Sequence, residues 1–224
     1  MRNLLIIIFL VLFGTIAEAQ TVRQSFNRGT QAAKNGNYVQ ALENYQKSLV
    51  KIDAGNSAAF LTKIHYNIGV CLFQLKRNAE AVIALEKAVT ASGGNYEKAF
   101  YALGAAHKEL NNRAAAKKAF GAAITLGSRE AWFDLGLILI EENDYQSAAA
   151  AFRAAINNNS VAIAASHNNL GVILAIDRNF AAAEKEFETA LRESNGEFIE
   201  AKNNLEFCRR HTADSLQANL IFSR

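Results

Sequence analysis

The stretch AWFDLGLILIEENDYQSAAAAFRAAI, residues 131–156, decides the fold because its pattern of small and large residues recurs along the chain. With Gly136 as the origin, the pattern has large residues at offsets −4, −1, +3 and +16 and alanines at +12 and +19. These are Trp132, Leu135, Leu139, Phe152, Ala148 and Ala155. Apolar residues at three- and four-residue spacing predict two amphipathic helices, and Asn143-Asp144-Tyr145 predicts a turn between them. The small residues predict close approach of the two backbones.

The same pattern recurs around four other glycines when each is taken as the origin: Gly29, Gly69, Gly104 and Gly171. The first copy is the weakest, because Arg28 and Ala32 replace large apolar residues. A sixth start has Glu206 at the glycine position and no second helix. Successive origins are 40, 35, 32, 35 and 35 residues apart.

A helix–turn–helix pattern with a period of about 34 residues resembles the tetratricopeptide repeat. The resemblance implies an all-α fold, a right-handed superhelical solenoid of helix–turn–helix repeats with a C-terminal capping helix. The repeats are expected at about 22–55, 62–95, 97–128, 129–162 and 164–197, and the capping helix at 196–213. Together they form one domain, 20–213, followed by a tail, 214–224. The chain lacks proline, so turn residues at offset +24 must end the repeats: Asp53, Gly93, Ser128, Ser160 and Asn195.

Residues 1–19 have the layout of a secretory signal peptide. Arg2 precedes an apolar run from Leu4 to Phe13, and Ala17-Glu18-Ala19 is a small-x-small cleavage site. The alternative is a membrane anchor, but this run is shorter than the roughly 20 residues of a spanning helix. We expect cleavage after Ala19, no transmembrane segment afterwards, and export to the periplasm or cell envelope of a Gram-negative bacterium.

Composition excludes some function classes. The net charge is +3, without the concentrated basic stripe of a nucleic-acid-binding protein. The cysteines, Cys71 and Cys208, are three repeats apart and are expected to be unpaired, since each repeat contacts only its neighbours. The histidines lie at stripe offsets −4 and +3, so we expect packed or half-buried side chains for His65, His107 and His167. No metal-ligand spacing or phosphate loop is present, so the sequence predicts no catalytic residues, no metal, no cofactor and no enzyme.

Function is therefore expected on the surface that the first helices of the repeats build together. Offsets −3 and −2, with neighbouring positions such as +1 and +4, share one side of each first helix, which we call the first-helix face. In the tetratricopeptide family this face lines a concave groove. Offset −2 carries asparagine in four of six copies, and a side-chain amide can pair with both polar groups of an extended backbone. The residues at this offset that we assign to peptide binding are Asn27, Asn67, Asp134, Asn169 and Asn204.

Aromatic and charged residues accompany this column. Offset −3 carries Phe26, Tyr66, Tyr101 and Phe133, which either form pockets for a ligand or pack between repeats. Cations concentrate in the first three repeats, and those that we assign to the face are Arg23, Lys63, Lys98 and Lys108. Carboxylates such as Glu130 and Glu200 follow later. The carboxylate clamp of chaperone-binding relatives is not reproduced, because Phe26, Thr30 and Ala102 stand at three of its places.

The sequence thus predicts a non-enzymatic adaptor or scaffold of the cell envelope that binds an extended protein or peptide segment on this face. One alternative is a structural subunit that self-assembles, or docks into a larger envelope complex, through its ends or outer faces, with the apolar tail residues Leu216–Phe222 as contact. The sequence leaves the oligomeric state open. It also predicts that alanine at Asn67 and Asn169 weakens ligand binding without loss of stability.

Overall fold

The computed structural model describes residues 21–50, 57–210 and 222–223. The expected leader at 1–19, the expected turn residue Asp53 and most of the expected tail lie outside the described residues. The helices are α1 (21–34), α2 (Tyr38–Val50), α3 (Ala58–Gln74), α4 (Asn78–Ala91), α5 (Glu97–Glu109), α6 (Arg113–Thr125), α7 (Ala131–Glu141), α8 (Tyr145–Asn157), α9 (Ile163–Ile176), α10 (Phe180–Glu193) and α11 (Ile199–Arg210). These ranges contain no strand, which confirms the predicted all-α class.

The chain divides into two compact units at the bond between Ala119 and Phe120, inside α6. In unit 1, which precedes this bond, α3 packs against α4, while α2 and α4 pack against the first helices that follow them, α3 and α5. In unit 2, α7 pairs with α8 and α9 with α10, and α11 packs against α10 and α9. Each unit therefore consists of helix pairs in chain order.

The recurring glycines lie where a large side chain of the paired helix presses on the backbone. A Cβ atom added to Gly136 would lie 2.7 Å from Cε1 of Phe152, and one on Gly171 would lie 2.7 Å from Cε1 of Phe187. In unit 1, Gly69 faces Leu85 in the same way, at 2.6 Å. Any side chain at these positions would collide with a fully buried neighbour. The spacing of 16 residues between the glycine and the large residue therefore reflects a packing contact between the two helices of a pair.

Left-handed backbone at one residue closes each turn between paired helices. Values of φ between 56° and 75° occur at Gly36, Lys76, Asn111, Asn143 and Arg178. The next residue often caps the second helix: Asp144 Oδ1 accepts from the Ser147 N–H at 3.1 Å, and Asn179 Oδ1 from the Ala182 N–H at 3.4 Å. Between repeats, Gly93 and Asn195 also adopt positive φ. Left-handed residues and caps thus end these helices without proline.

No helix in the described ranges is long and apolar enough to span a bilayer.

Candidate protein-binding faces

The first-helix face of unit 1 presents its charged and amide groups to solvent. Arg23, Lys63 and Lys98 are exposed, as is Asn27, whereas Asn67 is half-buried. Lys108 is half-buried and takes part in an interaction of its own. The structure therefore places three predicted cations where a ligand could reach them.

Two aromatic residues of the same column, Phe26 and Tyr66, pack against neighbouring rings in unit 1, and Tyr101 is half-buried with an interaction of its own. The ring of Phe26 lies 5.3 Å from that of Tyr45 and 5.1 Å from that of Phe60, the latter on the next first helix. The rings of Tyr66 and Tyr96 are nearly perpendicular, with centroids 5.3 Å apart. Burial raises the pKa of Tyr66, and Tyr96 and Glu97 add to the rise, so this phenol is neutral at pH 7. The sequence allowed these aromatic residues either to form pockets for a ligand or to pack between repeats. The structure shows packing for Phe26 and Tyr66.

A shallow depression opens beside Lys63, between the start of α3 and the end of α4. Its volume is about 250 Å³, and its lining combines alanines with polar groups. The polar lining residues are Thr62, Lys63, Ser92, Asn95 and Tyr96. A depression of this size can receive one side chain of a bound segment.

The first-helix face of unit 2 is different, because its asparagines are covered. Asn168, Asn169 and Asn204 are each 0% exposed. The Asn204 Nδ2 donates to Asn168 Oδ1 at 2.9 Å, which joins α11 to α9. Phe133 lies 5.7 Å from Phe152, and Asp134 is half-buried with an interaction of its own. The predicted residues Asn169 and Asn204 are therefore near each other in one buried amide cluster.

Ser223 completes this amide cluster. Its N–H donates to Asn169 Oδ1 at 2.5 Å, and its carbonyl accepts from Asn169 Nδ2 at 2.9 Å. Its hydroxyl accepts from Asn168 Nδ2 at 2.8 Å. One amide side chain thus satisfies both polar groups of one residue's backbone, which is the pairing that the sequence analysis expected for a ligand. Here the backbone belongs to the chain itself.

Phe222 anchors the same segment through its ring. The ring is half-buried and stacks on Tyr145, with centroids 6.5 Å apart and an interplanar angle of 10°. It also packs against the apolar cores around Phe152 and Phe187. Sequence reasoning did not assign Asn168, Phe222 or Ser223 to the site. Two adjacent asparagines in the middle of α9 could have indicated the site from sequence, since asparagine is a mediocre helix former and needs another reason to be there.

Histidine and cysteine occupy packed positions, as expected. His65, His107 and His167 are half-buried, and His167 Nδ1 lies 2.6 Å from Glu186 Oε2. Both cysteines are free and buried, which confirms that they are unpaired. Burial raises the pKa of the Cys71 thiol to about 11, so little thiolate forms at neutral pH. No group of three His, Cys, Asp or Glu residues that could hold a metal occurs in the described part of the chain.

Comparison with family models identifies the repeats. Models of the tetratricopeptide repeat match residues 62–95, 101–163 and 143–198, which together make up more than half of the chain. The chain belongs to the tetratricopeptide repeat family. A search of curated protein sequences gives no significant match for this tetratricopeptide protein.

Solved tetratricopeptide structures share its fold. A tetratricopeptide repeat protein from Parabacteroides merdae matches with a TM-score of 0.69 and 19% identity, covering 85% of this chain and 74% of its own. YrrB, described as having an unusual peptide-binding site, matches with a TM-score of 0.62 and 24% identity, covering 80% and 88%. The first tetratricopeptide domain of Spaghetti (RPAP3), bound to an HSP90 peptide, gives 0.50 and 26%, covering 55% and 94%.

Proposed function

We propose that this protein is a non-enzymatic adaptor or scaffold that binds an extended segment of a partner protein on its first-helix faces. The observation that carries the proposal is the pairing of Asn169 with both backbone groups of Ser223, at 2.5 and 2.9 Å. Backbone pairing gives affinity that does not depend on the ligand's sequence, while neighbouring side chains select among ligands.

Two solved relatives support peptide binding as the use of this fold. YrrB is described by its peptide-binding site, and the Spaghetti domain was solved with a peptide bound. A stiff stack of helices also lowers the ordering cost on the protein's side of the interface. These points favour an adaptor over a catalyst.

Exposed charge in unit 1 specifies the partner further. Arg23, Lys63 and Lys98 are exposed on its first-helix face, and the depression beside Lys63 offers room for a side chain. Because Phe26 and Tyr66 pack against neighbouring rings, they contribute mainly to the rigidity of the first-helix face and leave few open pockets. We propose that unit 1 binds a segment with acidic side chains, whose association the lysines accelerate by long-range attraction.

We also propose that the protein acts after export, in the periplasm or cell envelope. Support comes from the pattern of residues 1–19, a charged start, an apolar run and Ala17-Glu18-Ala19. The predicted first residue of the mature chain is Gln20. N-terminal sequencing of the protein isolated from cells tests this, and a chain that still begins at Met1 contradicts it.

The self-assembly alternative names the ends and outer faces as contacts, and above all the apolar tail Leu216–Phe222. Phe222 is the one residue of this tail that the structure describes. Its ring is half-buried against Tyr145 and is therefore less available for contact with a second molecule. Binding of a partner segment remains the better-supported function.

A peptide selection tests the acidic-segment proposal. The bait is the chain from Gln20 onward, and the probe is a phage-displayed library of random 12-residue peptides. We expect enrichment of acidic peptides on the wild type and at least a tenfold loss of their binding to the variant Lys63→Glu/Lys98→Glu. The matched control is Lys118→Glu, which reverses an exposed charge on the second helix α6 and is expected to bind like the wild type. No enrichment, or equal binding by all three baits, would overturn the proposal.

A further inference from the structure

The face of unit 2 holds residues 222–223 in the way that a binding site holds a ligand. Three kinds of recognition act together on two adjacent residues: backbone pairing by Asn169, hydroxyl pairing by Asn168 and ring stacking by Tyr145. Ser223 is 5% exposed, so the site encloses it almost completely.

Equivalent positions in unit 1 show that this enclosure is specific to unit 2. At offset −2, Asn27 is exposed and Asn67 is half-buried, whereas Asn169 is fully buried. Leaving the site uncovered would remove both hydrogen bonds that join Asn169 to Ser223. Buried amides are stable only when paired, so this cluster is built to have peptide backbone against it.

We propose that unit 2 contains a second peptide-binding site, which takes an extended segment with an aromatic residue followed by a small hydroxyl residue. Residues 222–223 occupy this site as a tethered competitor of the partner segment. The inference rests on the proposed function, because it assumes that the first-helix faces bind partner segments, and it adds how one of them is regulated.

The chemistry of the site sets the ligand class. The Tyr145 ring offers a flat apolar surface for an aromatic side chain. Asn168 Nδ2 donates to the serine hydroxyl at 2.8 Å, and Ser223 is almost fully enclosed, so the site favours a small hydroxyl residue at this position. The N–H and the carbonyl that pair with Asn169 both belong to the hydroxyl residue itself, so proline, which lacks the N–H, is excluded at that position.

Competition follows from the covalent link. A tethered segment has an effective concentration that can reach the millimolar range, so a free segment of equal affinity binds only when the tethered one leaves. The apparent dissociation constant for a partner equals the intrinsic dissociation constant divided by the fraction of molecules whose site is open. Partner segments that bind more tightly than residues 222–223 are selected, and weak ones are rejected.

The test uses the full chain from Gln20 with the double substitution Phe222→Asp/Ser223→Pro, which removes the ring and the N–H donor. The probe is a fluorescein-labelled peptide with the sequence of residues 216–224, LQANLIFSR, capped at both ends. We expect its binding, followed by fluorescence anisotropy, to be at least tenfold tighter to the double variant than to the wild type. A matched peptide with N-methylserine at the position of Ser223 lacks the same N–H and is expected to bind at least tenfold more weakly.

Circular dichroism verifies that the double variant is folded, and the N-methyl peptide tests the site without altering the protein. Failure of the peptide to bind the double variant, or equal binding to variant and wild type, would overturn the inference. So would equal binding by the methylated and unmethylated peptides. Because the library selection depends on lysines of unit 1, its success together with failure here would leave the proposed function standing.

Discussion

Replacement of Gly136 by leucine is expected to destabilise unit 2 strongly. A Cβ added at this position would lie 2.7 Å from the Phe152 ring, which is fully buried among other side chains. Overpacking of a core by a few methylenes costs about 1–3 kcal/mol, and here a four-carbon side chain meets a ring at contact distance. We expect a loss of at least about 3 kcal/mol, a large part of the 5–15 kcal/mol by which folded proteins are stable. Urea unfolding followed by circular dichroism measures it.

A pair of alanine variants provides the control. Gly136→Ala is expected to lower the free energy of unfolding, because its methyl group collides with Phe152. Gly121→Ala, in α6, meets nothing within 4 Å and is expected to raise it by up to about 1 kcal/mol through helix propensity. If the two alanine variants change stability in the same direction by the same amount, the glycine at the origin is not a packing requirement.

Replacement of Asn168 by leucine is expected to cost about 2–4 kcal/mol, since two buried groups lose a hydrogen bond. Asn204 Nδ2 loses its acceptor on α9, and the Ser223 hydroxyl loses its donor. The branched side chain must also fit a site that is 0% exposed. Urea unfolding of the full chain gives the change in the free energy of unfolding.

Asn203→Leu is the matched control, because Asn203 precedes Asn204 on α11 but is exposed. Its effect is expected within about 0.5 kcal/mol, as for most surface substitutions. A double-mutant cycle between Asn168 and Asn204 should show coupling, because the two side chains are directly bonded. Equal stability of the two leucine variants would mean that the buried amides contribute nothing to the fold.

The helix pairs could be predicted from sequence because their cause is local and repeated. Glycine at the origin and a large residue at +16 recur in all five complete copies, and the structure shows close approach between them at Gly69, Gly136 and Gly171. The turns were only partly predictable. Asn111 and Asn143 suit positive φ, but the exposed residues Lys76 and Arg178 adopt it as well. There the backbone bonds that end the helix require it: the Arg77 N–H donates to the Leu72 carbonyl at 2.9 Å, and the Asn179 N–H to the Leu174 carbonyl at 2.8 Å.

The binding face was harder to predict, because its occupant comes from a distant part of the chain. The spacing of Asn169 and Asn204 placed both on the same side of their helices, and both do lie in one cluster. Periodicity could not show that Ser223 returns to cover them. For this reason the expectation that Asn169→Ala leaves stability unchanged must be revised, since its amide is buried and paired. Asn67, half-buried in unit 1, keeps that expectation.

A first-helix face of unit 2 holds peptide backbone through the amide of Asn169. Hydrogen–deuterium exchange at the Ser223 N–H, measured by NMR on the full chain, tests it most directly. We expect this N–H, which donates to Asn169 Oδ1, to exchange at least tenfold more slowly than in the free peptide LQANLIFSR, and we expect Asn169→Leu to remove the protection. Exchange of the wild-type N–H at the rate of the free peptide would contradict the claim.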